Sequence, residues 1–400
     1  MNTEKYRESV GNMARAITHN HPPMSAASHV DHKGLVVLIL LFLAIGGALK
    51  HQFGGHRPAP PRPPAPVRSG VAKPVAEAAA RPAPPVQTRA PAVEAAAPVM
   101  IPVDRPAAAV PTDGYPRPVA SWLEAQIELA RRAISSGPID GIAGSQSIAA
   151  LRAFQEAAGL PATGQLDAAT RDELVLSTPP LAETSLTAAD LASLQPLSPT
   201  WLGKSEQTSL AFATALEMVA ERTHAHPALI QQLNPTVDWN AITPGTSLTA
   251  PAIGPITVPG KAALLHISLE DHVLEVRDDA GNLLAHFPVS IARDVAKRPA
   301  GELHVTVVIP DPDYTFDPDV FPESPEAREL GRKLILPPGP NNPVGVAWIG
   351  LDRPGYGIHG TPTPEQVGRT ESHGCFRLSN WDARTLLRLA WVGLPVIVEP

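Results

Sequence analysis

The sequence predicts a multidomain α+β chain: a mostly-β, sandwich-like domain at the C-terminal end, preceded by a small three-helix module. Three observations predict it. From Ala262 onward apolar residues alternate with polar ones, in short runs punctuated by Gly, Asp, Asn and Pro. Between Ser121 and Leu174 the apolar residues recur at three- and four-residue steps instead. The 47 prolines of the 400 residues cluster, chiefly between His56 and Pro118, and so mark a linker between ordered parts.

In chain order, residues 1–33 form an N-terminal segment. Gly34 to Leu49 is an uninterrupted apolar run between Lys33 and Lys50, about sixteen residues where a spanning helix takes about twenty. Its long preceding segment and the poor small-residue site Ala44-Ile45-Gly46 favour an uncleaved anchor over 34–50 rather than a signal peptide. Basic residues lie on both sides of the run, so charge does not set its orientation. Residues 51–119 are rich in Pro and Ala. They bury too little apolar surface to offset ordering entropy, and extend at about 3.1 Å per residue to a reach on the order of 100 Å.

The helical module spans 120–178. Trp122, Leu123, Ile127 and Leu129 form one amphipathic stripe; a second helix over Ser147 to Ala158 carries Ile148, Leu151 and Phe154; Asp167 caps a third that runs to Leu174. A connector over 179–207 has helical character around Leu186 to Leu194. Residues 208–255 hold two further short helices joined through His226-Pro227, then Asn234-Pro235 and Pro244-Gly245. The β domain covers 260–399, with strands at Leu264–Leu269, His272–Arg277, Ala285–Ser290, Leu303–Ile309, Gly345–Leu351 and Leu394–Val398, and one late helix from Trp381 to Ala390.

Net charge is -7 and there is no long basic block, which excludes nucleic acid as a compositional expectation. Cys375 is the only cysteine, so it forms no intramolecular disulfide. Around it stand His359-Gly360-Thr361 and Ser372-His373-Gly374-Cys375-Phe376-Arg377. A nucleophile, imidazole bases, backbone donors and a guanidinium together make the inventory of an acyl-transfer site. A buried structural cysteine and a zinc site on His359, His373 and Cys375 are the competing readings. The zinc site lacks a fourth close ligand and the usual Cys-x-x-Cys spacing.

The His-Gly pair, the gap and the Ser-His-Gly-Cys-x-Arg string resemble the YkuD-type L,D-transpeptidases, which cross-link bacterial peptidoglycan. Pro338-Gly339-Pro340-Asn341-Asn342-Pro343-Val344-Gly345 is similar to the family's loop beside the catalytic centre, within a segment, Pro310 to Pro343, that reads as a lid, a cleft wall or a passive loop. Arg298-Pro299-Ala300-Gly301-Glu302-Leu303 follows the family only in part, with Arg298 and Leu303 as departures. Over Ser121 to Leu174, Gly137-Pro138-Ile139-Asp140-Gly141, Ala153-Phe154-Gln155 and Gly159-Leu160-Pro161 resemble a type 1 peptidoglycan-binding domain. Residues 208–255 are similar to a LysM module, or form a collar packed on the β domain.

What the resemblance implies is a cysteine-dependent acyltransferase. Cys375 is the nucleophile and His359 the base, oriented by the Gly360 carbonyl, with His373 shaping the pocket or stabilising charge. Ser372, Gly374 and the Cys375 N–H line the oxyanion side. Arg377 grips a substrate carboxylate or braces the loop. The partners implied are peptidoglycan stem peptides and glycan, with no metal or organic cofactor. The product is a 3→3 cross-link; trimming by L,D-carboxypeptidase or endopeptidase action, attachment of protein to the wall, or non-catalytic wall binding are the alternatives. The location implied is a single-pass inner-membrane protein with its catalytic domain in the periplasm or cell-wall space.

Overall fold

A computed structural model describes residues 114–320, 324–369 and 374–400. The expected segments 1–33 and 34–50, most of the linker 51–119, and Ser372 and His373 lie outside the described residues.

The helical module opens with β1 (Arg117–Pro118) and continues through α1 (Trp122–Arg131), α2 (Ser145–Ala157), α3 (Ala168–Glu173) and β2 (Val175–Leu176). The short strands β1 and β2 pair antiparallel and close the module on itself. Each helix starts where chemistry allows: Ser121 caps α1 by accepting from Glu124 N, and Asp167 caps α3 by accepting from Thr170 N. Helix α1 is buried on two sides. Ala125 and Leu129 pack against Leu151 and Phe154 of α2, while Leu123 and Ile127 join a second apolar cluster with residues 215–253.

The next region differs from the expected connector. Leu181–Ser185 is a strand, β3, followed by α4 (Ala188–Ala192), α5 (Trp201–Glu206), α6 (Ala215–Arg222), α7 (Pro227–Leu233) and β4 (Ser247–Pro251). β3 pairs antiparallel with β4 across the whole region, Leu181 opposite Pro251 and Ser185 opposite Ser247. The alternation rule misses β3 because Ala182 to Ser185 are exposed and present no apolar face. Asn234 locks the end of α7 to β4, donating to Ile230 O and Thr249 O at 2.8 Å and accepting from Thr249 N at 2.7 Å.

The β domain contains β5 (Leu264–Ser268), β6 (Val273–Arg277), β7 (Leu283–Pro288), β8 (Gly301–Pro310), β9 (Tyr314–Phe316), α8 (Pro325–Leu330), β10 (Leu334–Leu336), β11 (Ala347–Leu351), β12 (Gly357–His359), β13 (Phe376–Arg377), α9 (Asn380–Leu389) and β14 (Pro395–Glu399). Eight of these strands form one sheet in the order β13-β12-β11-β8-β14-β5-β6-β7. Just beyond β7, Ser290 pairs with Arg377 of β13, each N–H donating to the other's carbonyl at 2.9 and 3.0 Å. That bridge brings the two edges of the sheet together, so the sandwich-like layering comes from one sheet curling on itself. Leu265, Ile267, Phe287, Val305, Ile349, Ile358 and Val396 fill the interior, together with Ala383 and Leu386 of α9.

Segment 310–343 is more than a loop. β9 and β10 pair antiparallel over a small core of Phe316, Ala327, Leu334, Leu336 and Leu210, and Trp201 of α5 stacks on Phe316 at 4.5 Å between ring centroids.

One expectation is corrected. No helix among the described residues is long and apolar enough to cross a membrane, which overturns the single-pass membrane location drawn from Gly34–Leu49. The helices described here reach at most the 13 residues of α2, amphipathic and packed in a core, where a span takes about twenty apolar residues.

Candidate active site

Three short strands build the site. β12 lies between β11 and β13, antiparallel to the first and parallel to the second. The register sets Trp348 opposite His359, and His359 opposite Arg377. One step back along the parallel pair aligns Gly357 with the position of Cys375, so His359 and Cys375 stand diagonally across neighbouring strands on one face. The thiol agrees with that register: Sγ donates to Gly355 O at 3.5 Å.

His359 is 6% exposed, and its Nδ1 hydrogen-bonds to Gly360 O at 2.6 Å. The Trp348 ring stacks on it at 5.7 Å. Burial lowers the imidazole pKa to about 4, the Gly360 carbonyl opposes that shift, and the Arg377 charge adds to it. Burial pushes the Cys375 thiol up, partly offset by a backbone hydrogen bond at Gly357 and by the Arg377 charge. Both shifts favour a neutral thiol beside a neutral imidazole at rest.

Arg377 is held at the seam of the sheet by its two backbone bonds to Ser290, and burial lowers its pKa. Open space faces the Cα of Gly374. Of the expected site residues, the described part of the structure brings together His359, Gly360, Gly374, Cys375 and Arg377. Burial raises the pKa of Tyr314 on β9, and the Cys375 thiolate, where formed, would raise it further.

Sequence reasoning missed the supports. Asn380, fully buried, accepts from Val346 N at 3.3 Å and donates to Pro340 O at 3.0 Å. Its Oδ1 lies where a Cβ on Gly345 or on Gly360 would have to go. Ser290 Oγ accepts from Gly368 N at 2.9 Å, and Gln146 of α2 donates to Val367 O at 2.5 Å, both on the segment that runs toward Cys375. The one signal for Asn380 was its place directly after Ser379, the N-cap of α9. Among the described residues no cluster of three His, Cys, Asp or Glu could hold a metal ion.

Residues 262–398 match the family model described as "L,D-transpeptidase catalytic domain", YkuD. The C-terminal part of the chain is therefore similar to L,D-transpeptidase catalytic domains. Residues 119–174 match a second model, described as "Putative peptidoglycan binding domain". Among curated relatives, the transpeptidase region is similar to "Putative L,D-transpeptidase YkuD" of Bacillus licheniformis, 25% identical over 46% of this chain and 93% of that protein. It is also similar to "Putative L,D-transpeptidase YqjB" of Bacillus subtilis, 38% identical over 22% of this chain and 51% of that protein. Among solved structures, an L,D-transpeptidase from Mycobacterium smegmatis matches at 21% identity over 40% of this chain and 65% of that chain, with a TM-score of 0.28.

Proposed function

We propose that this protein cross-links peptidoglycan stem peptides, with Cys375 as nucleophile and His359 as its base. The observation that carries the reading is the buried His359 ring. Its Nδ1 bonds a carbonyl that can only accept, so the proton sits on Nδ1 and Nε2 keeps the lone pair.

The step that follows is general-base attack from the neutral pair. Sγ bonds to the carbonyl carbon of the third stem residue while its proton passes to Nε2. The N–H groups of Gly374 and Cys375 are the donors for the developing oxyanion. The C–N bond then breaks, the proton passes from Nε2 to the leaving amine of the terminal D-alanine, and a thioester remains on Cys375. An amine of a second stem attacks it, gives its proton to Nε2, and releases the thiol with a 3→3 cross-link formed. His373 is assigned the role of shaping the pocket or stabilising charge. Arg377 braces the sheet seam and holds a positive charge beside the sulfur, in reach of a substrate carboxylate.

The module matched at 119–174 supports wall glycan as the partner of this domain. For residues 208–255 the packing favours the collar reading over a separate glycan-binding unit, because Glu217 and Glu221 of α6 bond directly to Asn341 and Asn380 of the catalytic domain.

Intact-mass analysis of the protein with a disaccharide-tetrapeptide, beside Cys375→Ala, tests the reading. A transient thioester and a cross-linked dimer, both absent from the variant, are the expected result. A tripeptide product alone would replace transpeptidation with carboxypeptidase action. No adduct and no product would overturn the catalytic reading.

A further inference from the structure

The collar helix α6 places two glutamates, Glu217 and Glu221, one turn apart on the same face. Both reach the catalytic domain. Glu217 Oε1 accepts from Asn341 Nδ2 at 2.5 Å, and its other oxygen accepts from Ala213 N at 2.8 Å. Asn341 Nδ2 also donates to Ala211 O at 2.8 Å, and its N–H to Leu210 O at 3.0 Å. The loop 338–346 is thus pinned to the collar at its near end.

Its far end is pinned through Asn380. Glu221 Oε2 accepts from Asn380 Nδ2 at 3.0 Å, the second amide hydrogen goes to Pro340 O, and Oδ1 takes Val346 N. Both amide hydrogens and one lone pair of Oδ1 are then in use. Behind it there is no slack. Gly345 has φ +60, and a Cβ there would meet the carbonyl carbon of Gly360 at 2.6 Å and its Cα at 2.7 Å. Gly360 is the residue whose carbonyl receives His359 Nδ1.

We propose that Glu221 is a positioning residue for His359: by holding Asn380 it seats Gly345 and Gly360, and so the carbonyl that aims the imidazole. This rests on the reading of His359 as the base of Cys375. The accessory region is then a working part of the active site, joined to it by a side chain 159 residues away in sequence from its partner. Burial raises the Glu221 carboxyl to about 7, against the pull of the Asn380 bond and of Arg384, with Glu217 adding to the rise. Near neutral pH it exists in both protonation states, and either state keeps an oxygen to accept from Asn380.

The test compares wild type, Glu221→Ala, Glu221→Gln and Glu221→Asp, with His359→Ala and Cys375→Ala as controls. Two readouts are taken: turnover of a disaccharide-tetrapeptide, and the rate of Cys375 alkylation by iodoacetamide between pH 6 and 9. The alanine change should lower kcat and the alkylation rate roughly tenfold, with KM within about twofold, since a misplaced base costs rate rather than binding. Glutamine should restore both to within about twofold, because it keeps the acceptor.

Alanine within about twofold of wild type, or glutamine failing as badly as alanine, overturns the proposal. If the alanine variant does not fold by near-UV circular dichroism, the aspartate variant decides. Its shortened carboxylate keeps charge but loses reach, and a several-fold loss supports positioning, whereas about wild-type rates overturn it. Wild-type alkylation indifferent to His359→Ala would instead sink the underlying reading of the site, whatever Glu221 does.

Discussion

His359 Nδ1 lies 2.6 Å from the carbonyl oxygen of Gly360, and that one bond decides which ring nitrogen can take a proton. The imidazole is buried and its pKa is lowered to about 4, so Nε2 keeps its lone pair throughout the neutral range. The neighbouring thiol is pushed the other way by burial. Both shifts disfavour charge on the resting pair, and in the proposed mechanism it becomes ionic only as the carbonyl carbon is attacked.

The pH dependence follows with a definite sign. A base whose pKa is lowered works above that value and stops below it. The kcat/KM of the cross-linking reaction should therefore stay level as pH falls from 7 to 5 and drop only as pH passes through about 4. An ordinary histidine would lose half its activity near pH 6.5. Steady-state rates across this range check it, and a midpoint near 6.5 would remove the neutral-pair account. His359→Gln should lower kcat by roughly 10²–10⁴ with little change in KM.

Asp382 gives a stability prediction of opposite sign. Its buried carboxylate accepts from Ser135 of the helical module at 2.9 Å and from Ser379 at 2.7 Å. Burial nonetheless raises its pKa to about 7, the two hydroxyls opposing the rise. A carboxyl whose folded pKa is raised contributes stability that is full below about pH 4 and lost as pH rises through about 7. Three units correspond to no more than about 4 kcal/mol. Asp382→Asn removes the titration, so urea unfolding should find it gaining on wild type between pH 5 and pH 8.5. A wild-type-minus-variant difference independent of pH would count against this assignment.

How much of this was legible in advance depends on distance along the chain. His359, Cys375 and Arg377 fall in one short stretch, and their residue types carry their chemistry. The strands β5 and β6 were legible because Leu265, Ile267, Leu274 and Val276 recur at every second position. β3 was hidden because Ala182 to Ser185 are exposed and pair with a strand some sixty residues on, a contact that no local pattern encodes. Glu221 and Asn380 were hidden for the same reason. Gly345 and Gly360 were read as motif letters, whereas their requirement is the space that Asn380 occupies.

Gln146 links the helical module to the catalytic loop. Its Nε2 donates to Val367 O at 2.5 Å, next to Gly368, whose N–H is held by Ser290. Gln146→Ala removes that donor and loosens residues 366–369. Trypsin cleavage after the exposed Arg369 should become several-fold faster than in wild type, while the melting temperature moves by only a few degrees. Equal cleavage rates would show that the Gln146 bond does not hold the segment.

Gly345→Ala and Gly360→Ala test the packing behind the base from the other side. At Gly345 the left-handed backbone, φ +60, penalises any side chain, and the added carbon strikes the Gly360 backbone. At Gly360 the φ is permissive, so the cost comes from space: a severe collision with Asn380 Oδ1 and tight approaches of 3.2 Å to Gly345 Cα and Val346 N. The two changes should therefore differ in stability and agree in activity. Gly345→Ala should cost about 2–3 kcal/mol, combining strain and overpacking, and Gly360→Ala about 1–2 kcal/mol. Both push Gly360 away from its seat and turn the carbonyl that His359 relies on, so both should lose at least roughly tenfold in kcat. Paired denaturation and turnover measurements separate the effects. A Gly360→Ala protein with full activity would mean that the imidazole is aimed by its stack on Trp348 rather than by the Gly360 carbonyl.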